Sequence, residues 1–363
     1  DVVAPLKTML ETDLAWSSTD FGFFTGGYSF LNVFFLMLIW GGLILDRFGI
    51  RFTGKLATIL MVGGTALEYY AMTGLAGADA TLFGINEIFG YKTGVFVAFA
   101  GYSIFGVGAE VAGITVSKII AKWFKGKELA TAMGVQVALA RIGSQAGYAV
   151  AIPLARAFGI STPVLLGLVL LLGGMIAFFI FAVMDKKLDK QMEAAAIAAG
   201  TEDEEEKFSF KDVKNILVNP GFWLIALLCV LFYSCVFPFQ KFASELMIIK
   251  YGINENVAGT FAGLPALGAL ILTPVFGGFI DKRGKSASIM LLGSAMLICV
   301  HFIYAIPDIN YWLVAIVLMI ILGIAFSLVP SAMWPAVAKI FPVSQLGTAY
   351  ALIFFIQNIG LWG

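Results

Sequence analysis

The sequence predicts an all-α membrane protein built from two similar helical halves, and three observations carry that expectation. Hydrophobic residues make up 60 % of the 363 residues and charged residues only 13 %, against roughly 25 % charged in soluble chains; the mean hydropathy is +0.94. The apolar residues fall in long runs such as Val164 to Val183. These runs reach the roughly 20 residues a membrane helix needs and lack the alternation of membrane-barrel strands. Finally, a charged connection with a turn glycine occurs twice. It reads Gly42-Leu43-Ile44-Leu45-Asp46-Arg47-Phe48-Gly49-Ile50-Arg51 and, more loosely, Gly277-Gly278-Phe279-Ile280-Asp281-Lys282-Arg283-Gly284-Lys285.

Residues 1–21 are polar, and Ser17-Ser18-Thr19-Asp20 reads as a helix start. Spans are expected at about 22–45, 53–75, 94–122, 128–156 and 161–184. A polar stretch, 185–219, carries Lys186, Lys187 and Lys190 and then the acidic run Glu202-Asp203-Glu204-Glu205-Glu206; it reads as a solvated linker. Further spans follow at about 220–249, 255–280, 286–306, 310–340 and 346–363, ten in all. Residues 1–184 then form one helical half and 220–363 the other. The connections at 46–55, 118–127, 185–214, 282–285 and 339 hold 17 of the 23 Lys and Arg. By the positive-inside rule that set, with the linker, is cytoplasmic, and a bacterial cytoplasmic membrane is the expected location. The first span then runs inward and the last stops while still apolar at Gly363. The sequence therefore reads as a piece of a twelve-span protein, six plus six. Its first span is missing, it is cut in the penultimate span, and the last span is missing.

Composition also excludes. The formal net charge is zero, so no nucleic-acid partner is implied. Cys229, Cys235 and Cys299 lie in apolar runs without metal-ligand spacing and read as small core residues. Nothing resembles a P-loop, a metal cluster or a nucleophile beside a base. No enzyme activity, cofactor or metal is expected, and a monomer in the lipid bilayer is the expected form.

The two connections resemble the signature loop of the major facilitator superfamily, G-x-x-x-D-R/K-x-G-R/K. Gly42, Asp46, Arg47 and Gly49 match it with Arg51 one place late, and Gly277, Asp281, Lys282, Gly284 and Lys285 match in the second half. Trp123-Phe124-Lys125-Gly126-Lys127-Glu128 and Ala140-Arg141-Ile142-Gly143-Ser144 look like the branch of lysosomal dipeptide uniporters and their bacterial relatives. So do Phe237-Pro238-Phe239, Pro274-Val275-Phe276-Gly277, Trp334-Pro335 and Gln345-Leu346-Gly347-Thr348-Ala349-Tyr350, with Gln357-Asn358 in the last span. The resemblance implies the major facilitator fold, two pseudo-symmetric six-helix halves rocking about a site between them. The hinges would act as gates on the rim. There Gly42 would permit close helix approach and Gly49 the turn. Asp46 would pair with Arg47 or Arg51 or, as the resemblance implies, meet the start of the last helix near Gln345.

Charges inside the spans point to a site independently. Glu110 lies 12 residues before Lys122 and Arg141 lies 13 residues after Glu128, which puts both roughly 18–20 Å deep on consecutive antiparallel helices. Burying either alone costs at least about 2.5–3.5 kcal/mol, so both should face the interior or a wet cavity. One reading is a structural ion pair. The other is that Glu110 meets a substrate ammonium and Arg141 a substrate carboxylate, which its planar fork suits. Tyr28, Asn32, Gln145, Tyr233, Gln357 and Asn358 fall at similar depth as candidate site lining, though polar side chains also bond neighbouring helices. Trp334, beside Pro335, is a candidate for closing the inner side of the cavity. Glu68 and the Lys241–Glu245 pair read as outer-rim charges, and His301 as a packing residue with one hydrogen bond.

The expected function is secondary transport of a small zwitterion, a dipeptide by resemblance, through alternating access. The alternatives are proton-coupled transport of an organic anion, with Glu110 carrying the proton, and a non-transporting receptor on the same fold.

Overall fold

A computed structural model describes residues 2–77, 80–123, 129–199, 210–340 and 343–362. Within them the side chains of Asp46, Arg141, Asp281 and Lys282, among others, lie outside the described residues. After a 3-10 turn (Ala4–Leu6), the helices are α1 (Lys7–Asp13), α2 (Ser18–Phe34) and α3 (Met37–Thr73). A two-residue hairpin, β1 (Glu87–Ile88) with β2 (Tyr91–Lys92), leads into α4 (Thr93–Trp123), α5 (Leu129–Phe158) and α6 (Thr162–Ala199). The short α7 (Phe210–Val218) precedes α8 (Pro220–Ile249), α9 (Glu255–Ala262), α10 (Leu264–Arg283), α11 (Ser286–Ala305), α12 (Trp312–Ile340) and α13 (Val343–Trp362).

The expected starts and stops have local causes. The Ser17 hydroxyl accepts from the Asp20 amide at 3.1 Å, and the Asp20 carboxylate accepts from the Ser17 amide at 2.8 Å; this capping box opens α2. Asn219 caps α8, with Pro220 in its first turn. Gly49 adopts φ 78° and ψ 173°, which breaks α3 into two helices at the first hinge. The second hinge turns on Gly284 and Lys285, at φ 68° and 60°. In both places the chain uses a backbone region that favours glycine.

Six helical segments among the described residues are long and apolar enough to cross a membrane, and α2 with 37–45 makes a seventh, bent by 58°. The other three expected positions are filled by 50–73, α5 and α13. The bend falls at Leu36, whose φ is 54°. Neither glycine nor proline marks it, which is why the sequence shows a single run there. The expected span 255–280 is likewise two helices, α9 and α10, joined at Gly263.

Among the described residues two large apolar cores form, each with a smaller cluster beside it. One gathers α8 to α13 around Phe222, Phe232, Met319, Leu322 and Phe326, and the other gathers α1 to α5 around Leu6, Leu10, Phe21, Phe24 and Val95. Facing away from both, α6 exposes Leu165, Val169, Leu170, Ile176, Ile180 and Val183. A row of exposed aliphatics on a helix this long suits lipid rather than water.

At the first hinge Arg51 pairs with Asp185 at 3.2 Å and with Asp189, both on α6; the side chain of its other expected partner, Asp46, lies outside the described residues. The close approach to α4 is made by Gly41, where an added Cβ would lie 2.5 Å from Val111 Cγ2, whereas Gly42 and Gly277 face open space. One residue along a helix is a turn of about 100°, enough to move Gly42 off the packed face.

Asp185 is fully buried and also accepts from the Trp123 indole at 3.0 Å. Asp185→Ala strands the Trp123 indole donor and leaves Arg51 with Asp189 alone among the described residues. The expected cost is about 1–3 kcal/mol, discounted because Arg51 is partly exposed. It should appear as a melting point several degrees lower in detergent; an unchanged melt would contradict the assignment.

Candidate functional site: a seam between two helical cores

The seam has a hinge end, near Gly49 and Gly284, and a far end, near Ser17 and Glu255. Glu110 sits on α4 about 25 Å along the helix from Thr93 and about 20 Å from Trp123. The Tyr28 hydroxyl of α2 donates to its carboxylate at 2.9 Å, and Asn358 of α13 lies nearby, its amide nitrogen donating to the Phe354 carbonyl at 3.0 Å. Three of the expected residues, from both cores, thus meet at one carboxylate. Neutral donors compensate a carboxylate in hydrocarbon only in part, and a cation completes the set. Arg141 lies on α5, and its side chain is outside the described residues.

The remaining expected residues divide. Asn32 is fully buried, with neither polar side-chain atom partnered among the described residues. Gln145 donates to the Thr260 carbonyl at 3.4 Å across the seam. Gln357 lies 4.0 Å from the Cys229 thiol. Tyr233 is stacked on Phe237 at 5.5 Å in the aromatic core of its own half, and Trp334 is stacked on Phe354 of α13 at 4.9 Å. His301 ties α11 to α8 through the Cys235 carbonyl at 3.0 Å, as a packing residue does.

The structure corrects the rim reading of three charges. Glu68 is 4 % exposed, and its Oε1 has no partner among the described residues. Glu245 and Lys241 each reach the other core. Glu245 binds Lys7, which also holds Glu11 at 3.0 Å and Ser18 at 2.9 Å. Lys241 donates to the Tyr102 hydroxyl at 2.9 Å and stands 5.2 Å from that ring's centroid. Their four-residue spacing suggested one exposed pair on one helix, but α8 runs along the seam and turns both inward.

Further cross-seam contacts close the far end. Arg156 pairs with Glu255 and donates to Asn256 at 2.9 Å, and the Tyr148 hydroxyl donates to the Gln240 carbonyl at 3.2 Å. At Gly259 an added Cβ would collide with the Tyr148 carbonyl oxygen, so α5 and α9 touch backbone to backbone. A groove of about 360 Å³ at the far rim is lined by Arg156 and Glu255 and opens outward. Deeper, between the cores, lies a cavity of about 60 Å³ lined by Ser144, Tyr148, Phe237, Gln240, Lys241, Ala266 and Phe326. Ligand pockets commonly run about 300–1,000 Å³, so a peptide-sized solute needs this seam to open.

Comparison with known proteins fits this arrangement. The family model of the Major Facilitator Superfamily matches residues 1–361. The chain belongs to that superfamily. It is 29 % identical over 375 residues to the Homo sapiens lysosomal dipeptide transporter MFSD1, covering 99 % of this chain and 73 % of the relative. The Gallus gallus protein of the same name is 34 % identical over 274 residues, covering 72 % of this chain and 59 % of the relative. Among solved structures, a mutant of the nucleoside transporter NupG superposes with TM-score 0.67 at 13 % identity, covering 99 % of this chain and 84 % of that one. A bacterial homologue of the human lysosomal transporter Spinster, inward-facing and unoccupied, gives 0.64 at 14 %, covering 99 % and 75 %. Like other superfamily members, this is a multi-pass integral membrane protein and a transporter, not an enzyme.

Two outcomes follow for this superfamily member. Gly259→Leu should wedge α5 from α9, so a cysteine placed at Ser144 in a background without the native cysteines labels faster from the far side. Equal labelling would show that the far end does not depend on that contact. The Lys7 cluster carries a pH signature. Burial lowers the Lys7 pKa, but hydrogen bonds and charge from Glu245 and Glu11 outweigh it and hold the group above its ordinary 10.5. The Lys7 hydrogen bond holds Glu11 below its ordinary 4.5. Glu11's contribution is therefore present above pH 4.5 and lost as pH falls through its lowered value; Lys7's is present below pH 10.5 and lost as pH rises through its raised one. Lys7→Met should flatten both limbs of the melting-point profile, and a profile as steep as the parent's would contradict the linkage.

Proposed function

We propose that this protein moves a small zwitterionic solute, a dipeptide in the first instance, by alternating access between halves at 1–184 and 220–363. The observation that carries the reading is the Glu110 carboxylate, held by Tyr28 and faced by Asn358 in the middle of the bundle. It suits a substrate ammonium. Arg141 is assigned the substrate carboxylate, and Asn32, Gln145, Gln357 and Asn358 the peptide between. The relatives described as lysosomal dipeptide transporters support the same class. Tyr233 and Trp334 act from behind, through the aromatic stacks that set α8 and α12. The signature-loop residues gate the hinge end, which we assign with the linker to the cytoplasm.

Buried Glu68 favours a second reading, in which a proton travels with the solute. Purified protein in proteoliposomes separates these possibilities. Dipeptide uptake with no change in external pH supports uniport, and uptake with external alkalinisation supports proton coupling. Absence of flux for any dipeptide would instead favour a receptor on this fold. Glu110→Gln should lower uptake at least tenfold, in line with about 2–5 kcal/mol for truncating one partner of a desolvated charge pair. Uptake at the parental rate would remove Glu110 from the site.

A further inference from the structure

The 60 Å³ cavity on the seam has a chemistry that the zwitterion reading leaves unused. Its wall comes from α5 on one side and from α8, α10 and α12 on the other, so a ligand there touches both cores. Among its described lining residues the one formal charge is the Lys241 ammonium. That ammonium is oriented from across the seam, by the Tyr102 hydroxyl at 2.9 Å and the face of the same ring. Tyr148 and Gln240 of the lining are locked to each other at 3.2 Å, which fixes the wall opposite. Phe237 and Phe326 supply the apolar remainder. Such a chamber has room for about a carboxylate with a water or two, and a cation in a low-dielectric wall attracts an anion far more strongly than in bulk water.

The position matters as much as the charge. Lys241 lies about 12 Å from the far end of α8, whereas Glu110 lies about 25 Å from the far end of α4. The two are joined by a ladder of aromatic rings, with Tyr28 on Glu110 and 5.6 Å from Tyr102, which takes Lys241. The cavity lining does not include Glu110 or Tyr28, so a solute whose ammonium sits at Glu110 would direct a side chain past these rings towards Lys241 only once the seam opens.

From this geometry we infer that the Lys241 cavity is a specificity subsite for an acidic side chain, so that the protein selects dipeptides carrying Asp or Glu over neutral and basic ones. The inference rests on the zwitterion reading above. Unlike that reading, it assigns a role to Lys241 and predicts an order among substrates.

Counterflow in proteoliposomes tests it, read as the ratio of Ala-Glu to Ala-Ala uptake and of Ala-Glu to Ala-Lys uptake. The parent protein should favour Ala-Glu by tenfold or more in both. Lys241→Met should bring the first ratio to about one, Lys241→Arg should keep it above one, and Lys241→Glu should invert the second. A parent ratio near one, or an undiminished ratio in Lys241→Met, overturns the inference. If Lys241→Met does not fold, Tyr102→Phe, which removes the hydroxyl that orients Lys241 and leaves the ring, should lower the first ratio several-fold; an unchanged ratio there is equally fatal. Should the parent move no dipeptide, the zwitterion reading fails by itself. The subsite is then judged by thermal shift with glutarate on the parent and Lys241→Met: stabilisation confined to the parent supports an anion subsite, and equal or absent stabilisation rejects it.

Discussion

Charge placed inside a hydrocarbon slab must be met by something, and that constraint organises this molecule. Glu110 stands too far from either end of α4 for its carboxylate to reach water along the helix, and on insertion scales such a group costs roughly 3 kcal/mol unless satisfied. The Tyr28 hydroxyl at 2.9 Å and the nearby Asn358 bring α2, α4 and α13 together at one point. α13 belongs to the other core, so this acid lies where the halves meet. The same logic recurs towards the far end, where Lys241 crosses to Tyr102, Lys7 to Glu245 and Arg156 to Glu255. Apolar surface makes each half, and the seam is spanned by these polar side chains together with apolar contacts such as Phe21 on Phe242 at 5.5 Å.

That division suits a transporter. Two cores with apolar interiors behave as separate bodies, since interiors are close-packed and resist gradual deformation. The hydrogen bonds and ion pairs described between them can exchange for water or substrate, so the seam is the place where the molecule can open. At the hinge end, Arg51 is held by two α6 carboxylates and Asp185 also takes Trp123, which ties the first hinge to its own half. The hinge then moves with that half as one body.

Much of this was legible in the sequence, and the failures have physical causes. The spans could be read because hydrocarbon thickness fixes their length, and the α2 start because a capping box is a local signal. The break at Leu36 left no trace, since no breaker residue stands there. Glu110 stood out as an acid deep in an apolar run, and the same rule applied to Glu68 would have placed it inside rather than on a rim. Lys241 and Glu245 misled because four-residue spacing reports neighbours on one helix, whereas both partners come from distant chain segments. Tyr102 and Tyr148 carried no signal at all: in an aromatic-rich chain, only the structure shows which tyrosines face the seam.

In the proposed function, the buried carboxylate at Glu110 recognises a substrate ammonium. Isothermal titration of the purified protein with Ala-Ala and with N-acetyl-Ala-Ala isolates that contact, because acetylation removes the positive charge and leaves the rest of the ligand in place. Acetylation should weaken binding at least tenfold in the parent protein, and Glu110→Gln should bind the two ligands within about twofold of each other. Equal binding of both ligands by the parent protein would contradict this recognition.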